Sequence, residues 1–217
     1  MIIIGHRGAR GLAPENTIAS FKKALEYHVD IIEFDLRVTK DSVVIVHHDP
    51  KLLDNSGNKF SIADHTFKEL KEHKNNLARL DEALAAVNGQ VPLYIEVKRN
   101  VRIKPIAENL GKYKHSFLLA SKSRKTLLEL HKAMPKVSKI VIEPWSGIRA
   151  TYRARQLDTK FIAMNQLFLW SGFIASMKDR GYELYAYTLN NPKKAKRWEK
   201  YGLAGVITDF PDRYAKR

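Results

Sequence analysis

Short apolar runs alternate with longer amphipathic stretches from one end of this chain to the other, and that rhythm constrains its fold more than any other feature. Apolar and β-branched runs predict strands over 2–5, 31–38, 43–47, 92–97, 116–120, 139–143, 160–165, 183–187 and 204–208. Helical spacing falls between most of them, at 17–28 (Ile18, Phe21 and Leu25 on one side), 79–87, 103–111, 123–133, 147–157, 171–180 and 192–200. Strands alternating with helices predict parallel βαβ units. The strands number nine, one more than a (βα)₈ barrel uses. Only Thr39-Lys40-Asp41-Ser42 separates the second and third runs, whereas a parallel crossover needs about a dozen residues. That pair is expected to form an antiparallel hairpin. Setting the returning strand aside leaves the strand count of a TIM-type barrel.

The hairpin has a consequence for chemistry. With its turn centred near residues 40–41, position 48 is expected opposite position 33, which brings a histidine back beside Glu33 and Asp35. Residues 50–78 fit the barrel rhythm least. Asp54-Asn55-Ser56-Gly57-Asn58 is rich in turn formers and Phe67-Lys68-Glu69-Leu70 suits a short helix. The segment is expected to be a small insertion over the barrel mouth. No internal repeat or domain boundary stands out, so residues 1–217 are expected to form a single barrel domain.

Composition bounds the partners. An apolar share of 44% supports a sizeable core. A net charge of +15, from 38 Lys and Arg against 23 Asp and Glu, favours anions such as phosphate esters, nucleic acid or an acidic membrane surface. Cysteine is absent, which excludes disulfides and thiolate metal sites. No run approaches the roughly 18–20 apolar residues of a membrane span, and the N-terminal run is far too short for a signal segment. The expectation is a soluble, cytoplasmic protein.

The groups that carry chemistry lie at predicted strand ends. Glu33 and Asp35 are two apart on one strand and project to one face. Glu96 adds a third carboxylate on the next parallel strand. Carboxylates that converge repel unless a cation lies between them or one stays protonated. An all-oxygen set without cysteine favours a hard divalent ion, Mg²⁺ or Ca²⁺. His6, bracketed by Gly5 and Gly8, is an acid–base candidate, and Arg7 supplies a fork that fits phosphate. His47 and His48 alternate on their strand, so one of the two is expected in the site. Lys98 is either a phosphate contact or a pair partner for Glu96. Trp145, Phe168 and Trp170 follow strand ends, where they either wall the mouth or pack between layers. Glu143, also at a strand end, faces either substrate or a neighbouring cation.

In order and spacing these segments resemble the glycerophosphodiester phosphodiesterase family. The match runs through Gly5-His6-Arg7-Gly8, Pro14-Glu15-Asn16-Thr17, Glu33-Phe34-Asp35, Val46-His47-His48-Asp49, Leu80-Asp81-Glu82-Ala83-Leu84, Glu96-Val97-Lys98 and Gly205-Val206-Ile207-Thr208-Asp209-Phe210-Pro211. The resemblance implies a TIM-type barrel with a divalent ion on Glu33, Asp35 and Glu96. It implies His6 and His48 as general acid and base, Arg7 and Lys98 on the phosphate, and cleavage of a glycerophosphodiester to glycerol 3-phosphate and an alcohol. It further implies attack by the neighbouring glycerol hydroxyl to give a cyclic phosphate that water opens. The family's His-Asp pair selects His48 over His47. Tyr187 of Tyr187-Thr188-Leu189-Asn190 stands where the family often has Trp and is expected against substrate. The stretch after Asp49 lacks an arginine usual there. No nucleic-acid partner is expected. Two other readings compete: a lysophospholipase D acting on lipid, with weak membrane-surface contact, and a non-catalytic polyanion-binding barrel.

Overall fold

The computed structural model describes residues 1–214. Its strands are β1 (Ile2–Gly5), β2 (Ile31–Val38), β3 (Val44–Val46), β4 (Lys51–Leu53), β5 (Lys59–Ser61), β6 (Ala78–Arg79), β7 (Leu93–Val97), β8 (Phe117–Ser121), β9 (Lys139–Glu143), β10 (Phe161–Asn165), β11 (Glu183–Tyr187) and β12 (Gly205–Thr208). The helices are α1 (Ile18–Glu26), α2 (Phe67–His73), α3 (Leu80–Val87), α4 (Ile103–Leu110), α5 (Arg124–Ala133), α6 (Gly147–Gln156), α7 (Ser171–Asp179) and α8 (Pro192–Glu199). β1, β2 and β7 through β12 pair in parallel, and β1 pairs with both β2 and β12, which closes the barrel. The expected TIM-type barrel and its antiparallel hairpin strand are both present.

The strand sequences explain two shells of packing. Along β2, Ile32, Phe34 and Leu36 face outward and pack with Phe21 and Ala24 of α1 and Ala83 of α3. The alternate positions face inward, where Ile4, Tyr94, Ala120, Ile140, Tyr185 and Ile207 fill the barrel from seven strands' worth of alternating residues, Ala163 among them. At the carboxyl end this inward series turns polar, with Glu33, Asp35, Glu96 and Lys98 all buried. A barrel whose lower half is apolar and whose upper half is charged has its chemistry at the upper end.

One edge of β2 is shared by three segments in turn. β1 covers Ile31 and Ile32, the N–H of Gly8 donates to the Glu33 carbonyl at 3.0 Å, and the N–H of His47 donates to the Asp35 carbonyl at 3.0 Å. β3 then pairs with residues 36–38. β3 thus sits above the end of β1 and continues the wall.

The hairpin register differs from the expectation by one residue. Leu36 pairs with Val46, Arg37 with Ile45 and Val38 with Val44, so position 47 falls across from Asp35, and 48 does not face 33. The turn is centred on Asp41, and Ser42 adopts a left-handed φ of 68° that lengthens it. In segment 50–78, β4 and β5 form a small antiparallel pair flanking Asp54–Asn58, and the expected short helix is α2. Leu52, Ile62, Leu70 and Leu77 pack with Ile45 of β3 in a core of their own. Among the described residues, no helix is long and apolar enough to cross a membrane.

Candidate active site

The turn after β1 delivers His6 and Arg7. Arg7 and Gly8 both take left-handed φ values, 50° and 84°, and a Cβ on Gly8 would lie 2.7 Å from the Ser20 carbonyl oxygen. Glycine is therefore required where the turn passes over α1. Ser20 in turn donates to the Arg7 carbonyl, and Thr17 caps α1 by accepting from the Ser20 N–H. The turn is bound to β2 as well: the Arg7 N–H donates to Glu33 Oε2 at 2.7 Å.

Glu33, Asp35 and Glu96 each offer an oxygen within 4.8 Å of the others. Around them stand two cations. Lys98 Nζ lies 2.6 Å from Asp35 Oδ1 and 2.8 Å from Glu96 Oε1, and Arg7 Nε lies 3.3 Å from Asp35 Oδ2. Asn16 Nδ2 donates to Asp35 Oδ2 at 2.8 Å, and Glu15 holds the far end of the Arg7 guanidinium at 2.6 Å. Burial opposes ionisation of Asp35, but Lys98 and Arg7 outweigh it and hold the carboxyl below the usual range. Glu33 goes the other way. Burial, then the neighbouring Asp35 charge, push it up to about 7. A buried carboxyl held partly protonated by its neighbours marks a cluster with one positive charge too few. Three oxygen donors with that deficit fit a hard divalent ion.

Both candidate imidazoles are oriented by carboxylates. His6 Nδ1 is 2.6 Å from Asp209 Oδ1, and Asp209 accepts from Asn190 Nδ2 at 3.1 Å. His48 Nδ1 is 2.8 Å from Asp49 Oδ1. Each arrangement leaves Nε2 without a hydrogen-bond partner among the described residues. Burial pushes the His48 pKa down, with Asp35 partly restoring it. His48 lines the same small hollow as His6, Arg7, Glu33 and Glu96. The route differs from the expected one, however. β3 ends at Val46 and the chain bends through 48–50, so strand alternation no longer dictates direction there. His47 is buried outside that hollow, its Nδ1 on the Asp49 carbonyl, and burial pushes its pKa down to about 4.

Tyr187 also lines the hollow, and its buried hydroxyl has no hydrogen-bond partner among the described residues. Lys122 stands over its ring, 5.7 Å from the centroid. Glu143 is directed elsewhere: it is buried against Arg149 (2.7 Å) and Arg153 (3.2 Å) on α6. The aromatic residues after β9 and β10 do not line the hollow. Trp145, Phe168 and Trp170 are exposed, as are Ile148 and Leu167, while Leu169 turns inward.

Sequence reasoning gave no role to Asp209, Asn190, Asn16, Arg37 or Lys122. For Asp209 the signal existed. It directly follows the last strand, and barrel closure places that strand beside β1, whose end carries His6.

These groups gather at the carboxyl end of a closed parallel barrel, the end at which α/β-barrel enzymes carry their chemistry. The profile of the Glycerophosphoryl diester phosphodiesterase family matches residues 6–132 and 106–213. The chain belongs to that family and is an enzyme of phosphodiester hydrolysis. It is 27% identical to a glycerophosphodiester phosphodiesterase of Bacillus altitudinis, over 99% of this chain and 96% of that one. It is 24% identical to the human (Homo sapiens) Lysophospholipase D GDPD1, over 96% of this chain and 83% of the relative. In fold it is similar to an Oleispira antarctica phosphodiesterase solved with the product sn-glycerol-3-phosphate (TM-score 0.89, 22% identity, 98% and 94% of the two chains). It is likewise similar to the Thermotoga maritima glycerophosphodiester phosphodiesterase (TM-score 0.84, 24% identity, 99% and 96%).

Proposed function

We propose that the protein hydrolyses glycerophosphodiesters to glycerol 3-phosphate and an alcohol, with the groups around Glu33 as its centre. The observation that carries this is a hollow lined by Glu33, Glu96, Arg7, His6 and His48, with Asp35 completing the carboxylate cluster and Lys98 paired against it. Glu33, Asp35 and Glu96 would hold a divalent ion, Mg²⁺ or Ca²⁺, which when bound would offset charge on the phosphoryl oxygens. Arg7 and Lys98 meet the same oxygens. One of His6 and His48 takes the proton of the attacking hydroxyl and the other returns one to the leaving oxygen. Asp209 and Asp49 keep the two rings aligned. Tyr187 packs against the bound diester, and segment 50–78 covers one side of the mouth. Turnover of glycerophosphocholine, followed by release of glycerol 3-phosphate, is expected to vanish in EDTA and return with Mg²⁺ or Ca²⁺. Full activity in chelator refutes the metal assignment.

A second reading is supported by the exposed group Trp145, Ile148, Leu167, Phe168 and Trp170 on neighbouring loops at the mouth end. Phe173 of α7 lies tilted against Trp170, ring centroids 5.2 Å apart, and also abuts Gly147 at the start of α6, which joins the two segments. Such a rim suits contact with a membrane surface and a diester attached to an acyl chain, and the human relative carries the name of a lysophospholipase D. A higher kcat/KM for a lysophospholipid than for glycerophosphocholine selects this reading.

A further inference from the structure

Beside the hollow, which measures only about 40 Å³, lies a cavity of about 810 Å³ that shares His48, Glu96 and Lys122 with it. Its walls come from the ends of β2, β7 and β8, the bend at 48–50 and residues 61–63. Its charge is one-sided. Arg37, Arg99, Lys122 and Arg124 line it, and none of the four has a carboxylate within 4.0 Å among the described residues. The carboxylates that reach the cavity are Asp49 and Glu96, and each already has a partner, His48 and Lys98 at 2.8 Å in both cases. Arg37 is partly buried, tied by Nε to the His48 carbonyl at 2.9 Å. Burial pushes its pKa down. Cations grouped without counter-ions repel one another, so the cavity is poised for an anion.

The scissile phosphate does not account for that surplus, because Arg7 and Lys98 already stand at the carboxylates. The hollow is also too small for both ester halves, so one half extends into the larger space. We infer that this cavity receives the alcohol half of the diester and selects alcohols that carry an anionic group of their own, a second phosphate or a carboxylate. The inference rests on the phosphodiesterase reading above. A quaternary ammonium would meet four cations there and no unpaired carboxylate.

The test compares kcat/KM for glycerophosphoglycerol phosphate with that for glycerophosphocholine, in the metal-loaded protein and in the double variant Arg99→Gln, Arg124→Gln. Both side chains are exposed, and a thermal melt checks folding. The expected result is a preference for the anionic diester that falls about tenfold in the variant, as loss of charge-assisted contacts implies. Equal loss on both substrates, or an unchanged ratio, overturns the inference. Calorimetric titration with inorganic phosphate reads the cavity without turnover, and a binding event lost in the variant supports it. Identical isotherms sink the cavity assignment even if hydrolysis is confirmed. A wild type that cleaves neither diester sinks the functional reading instead, while the isotherms still decide the cavity.

Discussion

Asp209 lies at the opposite end of the chain from His6, yet fixes which nitrogen of that ring faces the hollow. Asp209→Asn preserves the shape of the contact and removes the charge that stabilises an imidazolium. It is expected to lower kcat by about 10²-fold or more, with KM little changed and the pH profile displaced. A fall in kcat matched by a lowered melting temperature, without change in the profile, points to misfolding of the β12 end. Glu33 supplies a second residue-scale prediction. Its folded pKa is raised from 4.5 to about 7, so its contribution to stability is present below pH 4.5 and is lost as pH rises through about 7. A divalent ion needs the ionised form. The gain in Tm on adding Mg²⁺ or Ca²⁺ is therefore expected to be small at pH 5.5 and large at pH 8. A pH-independent gain contradicts the assignment of Glu33 as a ligand.

At the scale of elements, the turn after β1 is the most constrained. Gly8→Ala places a methyl against the backbone of Ser20 at a φ of 84°. It is expected to cost about 1–3 kcal/mol, readable by denaturant unfolding, and to displace the Arg7 N–H from Glu33. A fully stable variant would mean that α1 can retreat. These elements also show where sequence was legible. Apolar rhythm and the four-residue gap were enough for the barrel and its hairpin, because strand and crossover lengths are set by geometry. Register was not legible, since a left-handed Ser42 shifts the pairing by one residue and no local pattern announces it. The choice of His48 rests on its neighbour Asp49 and not on alternation, because the strand stops two residues earlier. The β4–β5 pair escaped notice because only Leu52 in its first strand is buried. Residues acting through others, such as Asn16 on Asp35, become visible only when the loops are placed in space.

For the molecule as a whole, net charge and site have the same polarity preference. A field from +15 charges draws an anionic diester toward a mouth ringed by cations. Raising ionic strength from about 50 mM to about 500 mM is expected to lower kcat/KM roughly three- to tenfold while kcat stays near constant, because screening acts on encounter. Insensitivity to salt assigns the surplus charge to solvation alone. The seam between β1 and β12 carries a consequence in time. A chain still emerging from the ribosome carries β2 and β7, with all three carboxylates, before β12 has been made. Until that strand docks, His6 has neither Asp209 nor the Thr208 carbonyl that receives its N–H at 2.9 Å. By this arrangement, the contacts that orient His6 form in the same event that closes the barrel.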